Sequence, residues 1–256
     1  MTVDAVTALA QVTDVVDYLR VTVGPDDSRD WFACRSLVDD GDALLALVRG
    51  TAADRGTDRD DVAMSLFVQG YAFRIASLAV GVWLLDERVL DVSPDTTSIA
   101  LGRNRPNAVR LDRARLHDID DTDGDALTTL HRTLVDGHLA RLVATAHDAC
   151  RVGERLLWSC IGAALASSFG ALMGPLPDRR VEIRDRFEEL LAAARPELAA
   201  GGRVAHVGPL WAWERSACCL WYTTTDGDKC EDCSLWSDDE RRARYDRVLT
   251  SLEIGR

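Results

Sequence analysis

Four of the seven cysteines, Cys218, Cys219, Cys230 and Cys233, fall within a sixteen-residue stretch close to the C-terminal end of the chain. Thiolates are soft ligands that select zinc, copper(I) or iron–sulfur clusters, so the spacing C-C-x10-C-x2-C reads as a metal centre. A CxxC turn places two sulfurs on one metal. The vicinal pair Cys218-Cys219 must supply the remaining ligands from side chains that start out pointing apart, which departs from the paired CxxC-like turns of structural zinc sites. A 2Fe-2S cluster is larger than a single ion and accepts sulfurs from more divergent directions, which favours it over zinc. A structural zinc in an interaction protein and a thioredoxin-type dithiol at Cys230-Glu-Asp-Cys233 stay open as alternatives, although no βαβ pattern surrounds that dithiol. A 2Fe-2S electron carrier or redox sensor acting on another protein stays open too. The sensor reading is weakened because no helix-turn-helix with a basic face is evident.

Charged and aromatic side chains flank the motif. Arg215 stands three residues before the first cysteine, and Lys229, the one lysine of the chain, adjoins Cys230. Either cation is placed to stabilise thiolate or cluster charge from outside the ligand set. Trp211, Trp213, Trp221 and Trp236 surround the site. Trp213 and Trp221 are candidates for a platform under a bulky iron chelate, against the plainer reading that all four pack and shield. Cys34, Cys150 and Cys160 sit singly in apolar or helical patterns and read as packed, reduced thiols.

The elements that must carry this site are mostly helical. Apolar residues recur at helical spacing from Val3 to Leu19 and again from Trp31 to Val48, with Gly24-Pro25 between them. Val62 to Leu85 is strongly apolar, but Gln69 and Arg74 interrupt it at mid-length, so it reads as a buried core helix rather than a membrane span. Leu156 to Pro177 carries no charge. Its rows of small residues (Ser159, Ala163, Ser167, Ala171; Gly162, Ala166, Gly170, Gly174) favour a central helix against which other elements pack closely. Alternation around Arg103-Asn-Arg-Pro-Asn predicts a hairpin near 98–116. Helices are also predicted after an Asp125 N-cap, carrying His131, His138 and His147, and over Arg179–Ala194 and Asp238–Leu252. The histidines read as surface or boundary residues. The acidic run 118–125 fails as a calcium loop, because with Gly124 at position six the first and twelfth positions are Ile119 and Leu130.

Together these patterns predict an α+β fold: one predominantly helical domain with a small β-hairpin or sheet and a C-terminal four-cysteine segment. A boundary is expected at Pro196 to Gly201-Gly202, giving a mainly helical body over 1–200 and a cluster-binding segment over 201–256. With 256 residues, 47% of them hydrophobic, the chain can bury its core without disulfides. A formal net charge of -12 argues against nucleic acid and anionic membranes as partners and suits a neutral or cationic ligand. No secretory leader pattern is visible at the N-terminus, so a reducing cytoplasm is the expected compartment. There is no GxGxxG fingerprint, so any reducing equivalents are expected from an external donor such as a ferredoxin or a flavoprotein.

The four-cysteine motif, with Arg215, Leu220 and Tyr222 in its flanks, resembles the FhuF-like ferric-siderophore reductases, bacterial proteins with a 2Fe-2S cluster on a C-terminal C-C-x10-C-x2-C motif. The likeness is strong over roughly the last fifty residues. Upstream it rests on Leu156-Leu-Trp-Ser, similar to the family's Leu-Trp element at the head of a small-residue helix. The resemblance implies that Cys218, Cys219, Cys230 and Cys233 hold a 2Fe-2S cluster. It further implies a cytoplasmic reductase that passes one electron to Fe(III) in a siderophore and so releases Fe(II). A ferric hydroxamate, neutral or cationic, is the substrate expected from the charge balance.

Overall fold

The computed structural model describes residues 4–16, 18–103, 105–117, 125–208 and 210–251. Two long helices form its centre. α4 (Asp60–Asp86) begins with Asp60 and Asp61 in the first turn, where carboxylates complement the helix dipole, and ends at Glu87 in the left-handed region. α7 (Glu154–Met173) packs along it, with Ser77 and Ser168 hydrogen-bonded at 3.0 Å across the contact. Both helices are long and apolar enough to cross a membrane, and about 72% of each apolar window is buried inside the fold. Phe67, Tyr71, Ile75, Leu78 and Phe169 are fully buried there. Each such side chain contributes about 1.5–3 kcal/mol of transfer free energy.

Around this pair lie α1 (Ala5–Val15), α2 (Cys34–Asp39), α3 (Gly41–Ala52), α5 (Ala126–Leu130), α6 (Ala140–Cys150), α8 (Arg180–Ala192) and α9 (Pro196–Ala199). α10 (Asp238–Ser251) follows the cysteine segment. A four-stranded sheet in the order β1-β4-β3-β2 lies against α4; its strands are β1 (Val21–Val23), β2 (Trp31–Ala33), β3 (Thr97–Gly102) and β4 (Arg105–Leu111). β3 and β4 are antiparallel with a register shift at Ala100/Leu101, and β1 joins β4 in parallel. β4 ends at Leu111, and Leu116 makes only an isolated bridge to Leu90.

Three helical expectations are corrected. The apolar pattern from Trp31 to Val48 is one strand and two helices, not one helix. Trp31–Ala33 pairs with β3, and the Asp40 carboxylate then accepts from Asp42 and Ala43 N–H, restarting the chain as α3. Asp125 does cap α5, accepting from Thr128 N–H, but the helix it opens passes through a π-helical stretch, His131–Leu139, before α6. The acidic run 118–124 lies outside the described residues. Finally, His131 and His138 are buried rather than at the boundary, because the fold satisfies their ring nitrogens. His131 Nε2–H donates to Leu190 O at 2.7 Å. His138 Nδ1–H donates to Val92 O and its Nε2 accepts from Tyr71 O–H, both at 2.6 Å.

Near the C-terminal end, β5 (Gly202–Val207) and β6 (Leu210–Arg215) make an antiparallel hairpin lying on α7 and α8. The approach is close because Gly162 has no side chain: a Cβ there would stand 2.6 Å from Trp213 Cζ2. Trp213 in turn meets Phe187 edge-on at 5.6 Å. The small-residue row of α7 thus seats the strand that leads into the cysteines.

Two measurements test this frame. Gly162→Ala should destabilise the protein by about 1–3 kcal/mol through overpacking against Trp213, read by denaturant unfolding; an unchanged midpoint would contradict the packing. Burial pushes His138 down to about 4, outweighing the Val92 carbonyl that favours its charged form. The unfolded chain therefore binds the extra proton below its ordinary value near 6.5, and stability is lost as pH falls through that window. Between pH 7 and pH 5 the loss should be about 2 kcal/mol, absent from His138→Gln; equal pH slopes in the two proteins would refute it.

Candidate metal centre

β6 delivers the chain into the cysteine loop, which is fixed from three sides. Ser159 on α7 holds its start: the Ser159 hydroxyl donates to Ala217 O at 3.1 Å and accepts from Ala217 N–H at 3.2 Å. Ser65 on α4 donates to Cys219 O at 2.7 Å. Thr225, in the middle of the ten-residue spacer, donates both its N–H and its hydroxyl to Gly56 O, at 2.9 and 3.1 Å. The spacer itself turns tightly at Gly227, where a Cβ would collide with Trp221 O at 1.8 Å.

Within this frame the four thiols form two pairs. Cys219 Sγ and Cys230 Sγ are 3.8 Å apart, and Cys218 has Cys233 as a neighbour near enough to help push its thiol up. Two thiolates on one tetrahedral metal, with metal–sulfur bonds of about 2.3 Å, stand about 3.8 Å apart. Among the described residues no three His, Cys, Asp or Glu side chains are grouped around one point. Two thiol pairs fit two irons better than one zinc. The vicinal cysteines reach different pairs because Leu220 adopts the left-handed conformation (φ 66°) and reverses the chain after them. That turn aims Leu220 N–H at Cys218 Sγ (3.3 Å) and Trp221 N–H at Cys219, and Leu235 N–H reaches Cys233 Sγ at 3.5 Å. Such N–H groups stabilise thiolate charge.

Arg215 is the cation of the site. Its side chain is fully buried, its Nε donates to Asp232 Oδ2 at 2.6 Å, and Nη1 lies 3.6 Å from Cys160 Sγ. Nη2 is buried with no partner. Burial disfavours the guanidinium charge, but Cys160, Asp232, Cys219 and Cys230 together outweigh it and hold the group protonated. An orphaned, buried donor on a permanent cation beside two thiols is what a cluster sulfur would satisfy. Cys219 is lowered to about 6, first by the hydrogen bond from Cys230 and further by Arg215, while Cys230, which donates, is raised. The donor set therefore fits a 2Fe-2S cluster, with Cys218, Cys219, Cys230 and Cys233 as the residues that would hold it.

A profile described as the FhuF 2Fe-2S C-terminal domain matches residues 215–235, and one described as a ferric iron reductase FhuF-like transporter matches residues 65–203, more than half of the chain. The chain belongs to the FhuF-like family. None of the curated proteins matches it. The family carries the cofactor with it: the C-terminal segment is a 2Fe-2S domain and the protein an iron–sulfur oxidoreductase of ferric iron.

In this FhuF-like protein the flanking residues divide. Arg215 joins the thiols, and Trp213 lies buried behind it against α7. Trp221 is 38% exposed at the mouth of the site. Lys229 turns away, its Nζ 4.3 Å from the Trp236 ring centre and 3.6 Å from Glu240 Oε1. Trp236 Nε1 donates to Cys230 O at 2.9 Å, so that tryptophan fixes the CxxC turn. Asp232 and Ser65 escaped the sequence reading, and Cys160 and Ser159, read there as a packed thiol and a small residue of the central helix, were not placed at the site. Ser159 alone had a signal, as the last residue of Leu156-Leu-Trp-Ser.

Beside the thiols opens a cleft of ≈ 1430 Å³, lined by Cys219, Cys230 and Trp221 together with Phe73, Arg55 and Arg105. Arg74 and Arg103 line it too. Among the described residues the lining of this cleft carries six cations (Arg55, Arg74, Arg103, Arg105, Lys229 and Arg244) against four acids (Asp54, Asp228, Glu231 and Asp232), so its local charge differs in sign from that of the whole chain.

Replacing Arg215 by Met removes the charge opposite Asp232 and the thiols. The fold should lose about 3 kcal/mol, partly recovered in Arg215→Met/Asp232→Asn, and the midpoint potential of the cluster should fall as a nearby positive charge is lost. An unaltered potential, by redox titration of the visible spectrum, would remove Arg215 from the electrostatics of the site.

Proposed function

We propose that the protein is a cytoplasmic ferric-siderophore reductase: it takes one electron from an external donor and passes it to Fe(III) chelated in the cleft. Cys218, Cys219, Cys230 and Cys233 hold the cluster, which when bound supplies a one-electron couple. The observation that carries this reading is the cleft, which has two of those cysteines in its wall and room for a bulky chelate.

The chain's own residues bind, orient and shield. Cys219 and Cys233 are buried and Cys218 and Cys230 half-buried, and of the two pairs it is Cys219 and Cys230 that line the cleft. Arg215, held by Asp232, keeps a fixed positive charge behind Cys219 and Cys230 and so offsets the negative charge of four thiolates. Trp221 stands at the mouth, placed to contact an apolar part of a chelate. The substrate's own chemistry completes release. Siderophore oxygens are hard donors that grip Fe(III), and Fe(II) is softer and less charged, so one electron loosens the metal. All seven cysteines are unpaired, in keeping with a reducing compartment, and the missing nucleotide fingerprint is the reason for assigning the electron to a separate ferredoxin or flavoprotein.

Protein purified without oxygen, reduced with dithionite and freed of excess reductant should release Fe(II) from a ferric hydroxamate to a ferrous trap, one iron per cluster. Cys230→Ser should release at least a hundredfold less. A colourless wild-type protein containing zinc and no acid-labile sulfide, or a reduced protein that stays reduced with every ferric siderophore offered, would overturn the proposal.

A further inference from the structure

The charge of the cleft is unevenly distributed. Of its acids in the cysteine segment, Asp232 is paired with Arg215 at 2.6 Å and Glu231 with Arg244 at 2.9 Å, and Asp228 accepts from the Lys229 N–H at 2.7 Å. The side chains of Arg55, Arg103 and Arg105, which line the same cleft, take part in no ion pair or hydrogen bond among the described residues, and exposed Asp54 is the acid next to Arg55 in the chain. Arg74, also in the lining, is committed to structure. It donates to Pro106 O at 3.2 Å and Tyr18 O at 3.3 Å and lies over the Phe73 ring at 5.4 Å.

Arg55 is the unusual member. Its Nε is buried with no partner. Burial, and then the nearby charge of Arg105, lower it to about 10, so at neutral pH it remains a cation that is partly desolvated and repelled. A guanidinium in that condition destabilises the fold unless an anion meets it. The arrangement is fixed with respect to the thiols, since the next residue, Gly56, accepts both hydrogen bonds from Thr225 of the inter-cysteine spacer. Arg105 enters from β4, and the two guanidiniums converge from different elements on the same cleft that Cys219 and Cys230 line.

We propose that Arg55 and Arg105, assisted by Arg103, form a carboxylate-binding edge, and that the protein's preferred substrate is an anionic, carboxylate-bearing ferric chelate. Guanidinium forks match carboxylates bidentately, and one or two carboxylates meeting both would relieve the repulsion between half-buried Arg55 and exposed Arg105. This inference rests on the reading that the cleft receives a ferric siderophore. It replaces the overall charge of the chain, which favours cations, with the local charge at the place where the chelate sits.

Gallium(III) complexes, which bind like the ferric chelates but cannot be reduced, separate recognition from reduction. The probes are the complexes of aerobactin, an anionic citrate-based hydroxamate, and of desferrioxamine B, a cationic hydroxamate, titrated into the holoprotein by tryptophan fluorescence. The aerobactin complex should bind at least tenfold tighter. Arg105→Gln, on an exposed side chain that should not disturb folding, should weaken it about tenfold to a hundredfold, with partial rescue in Arg105→Lys and no loss for the desferrioxamine complex. Arg55→Gln should act in the same direction. Equal binding, preference for the cationic complex, or Gln variants that bind aerobactin unchanged would overturn the inference and leave the reductase standing. If neither complex binds, the siderophore reading and this inference fall together.

Discussion

A guanidinium with no access to water must be neutralised where it stands, and in this protein that requirement ties the site together. Arg215 closes β6, and its buried side chain meets Asp232 inside the CxxC turn and Cys160 on α7. One residue thus joins the strand that enters the cysteine segment, the turn that ends it and the central helix beneath. Its backbone N–H also reaches Asp232 O at 3.3 Å, so the link is doubled. A buried ion pair of this kind contributes little net stability by comparison with apolar packing, but separating its partners is costly. Its role is to define where the loop sits.

The small residues of α7 are the complement of that pair. Arg215 can be buried only if β6 lies hard against the helix, and Gly162 and Ser159 permit it, the first by making room for the Trp213 ring and the second by exchanging hydrogen bonds with Ala217. The same composition that makes α7 resemble a membrane helix therefore serves close packing of strand on helix. α4 carries the other face of the site. Ser65 bonds the Cys219 carbonyl, and Gln69, Phe73 and Arg74, on the same helix, line the cleft. The residues that interrupt its apolar run, Gln69 and Arg74, are the ones turned toward that cleft.

The cysteine centre was legible because its chemistry is carried by residue type and spacing in one short stretch. The vicinal pair argued for two metals before any coordinates, and the pairing of Cys219 with Cys230 and of Cys218 with Cys233 gives that argument its geometry. The long apolar helices and the Asp125 cap were legible for the same reason, since periodicity and capping are local. Strands β2, β5 and β6 were not. Trp31–Ala33 continues a helical apolar pattern and becomes a strand only by pairing with β3, and Gly202–Arg215 shows no clean alternation because both faces of its tryptophan-rich strand are covered. The histidines failed similarly: whether a ring on a helix faces water or core depends on Val92, Tyr71 and Leu190, which lie more than forty residues away in sequence.

By itself, then, the sequence determined the ligand types, their spacing, a helical body and the FhuF-like family, all of which are written in contiguous residues. Tertiary structure alone decided what surrounds the thiols: Arg215 inside, Lys229 held on Trp236, Cys160 brought in from α7, and Arg55 and Arg105 brought to the cleft that Cys219 lines. Net charge counts every side chain equally, whereas a ligand feels those within a few ångströms that water does not screen. Only the fold chooses which those are.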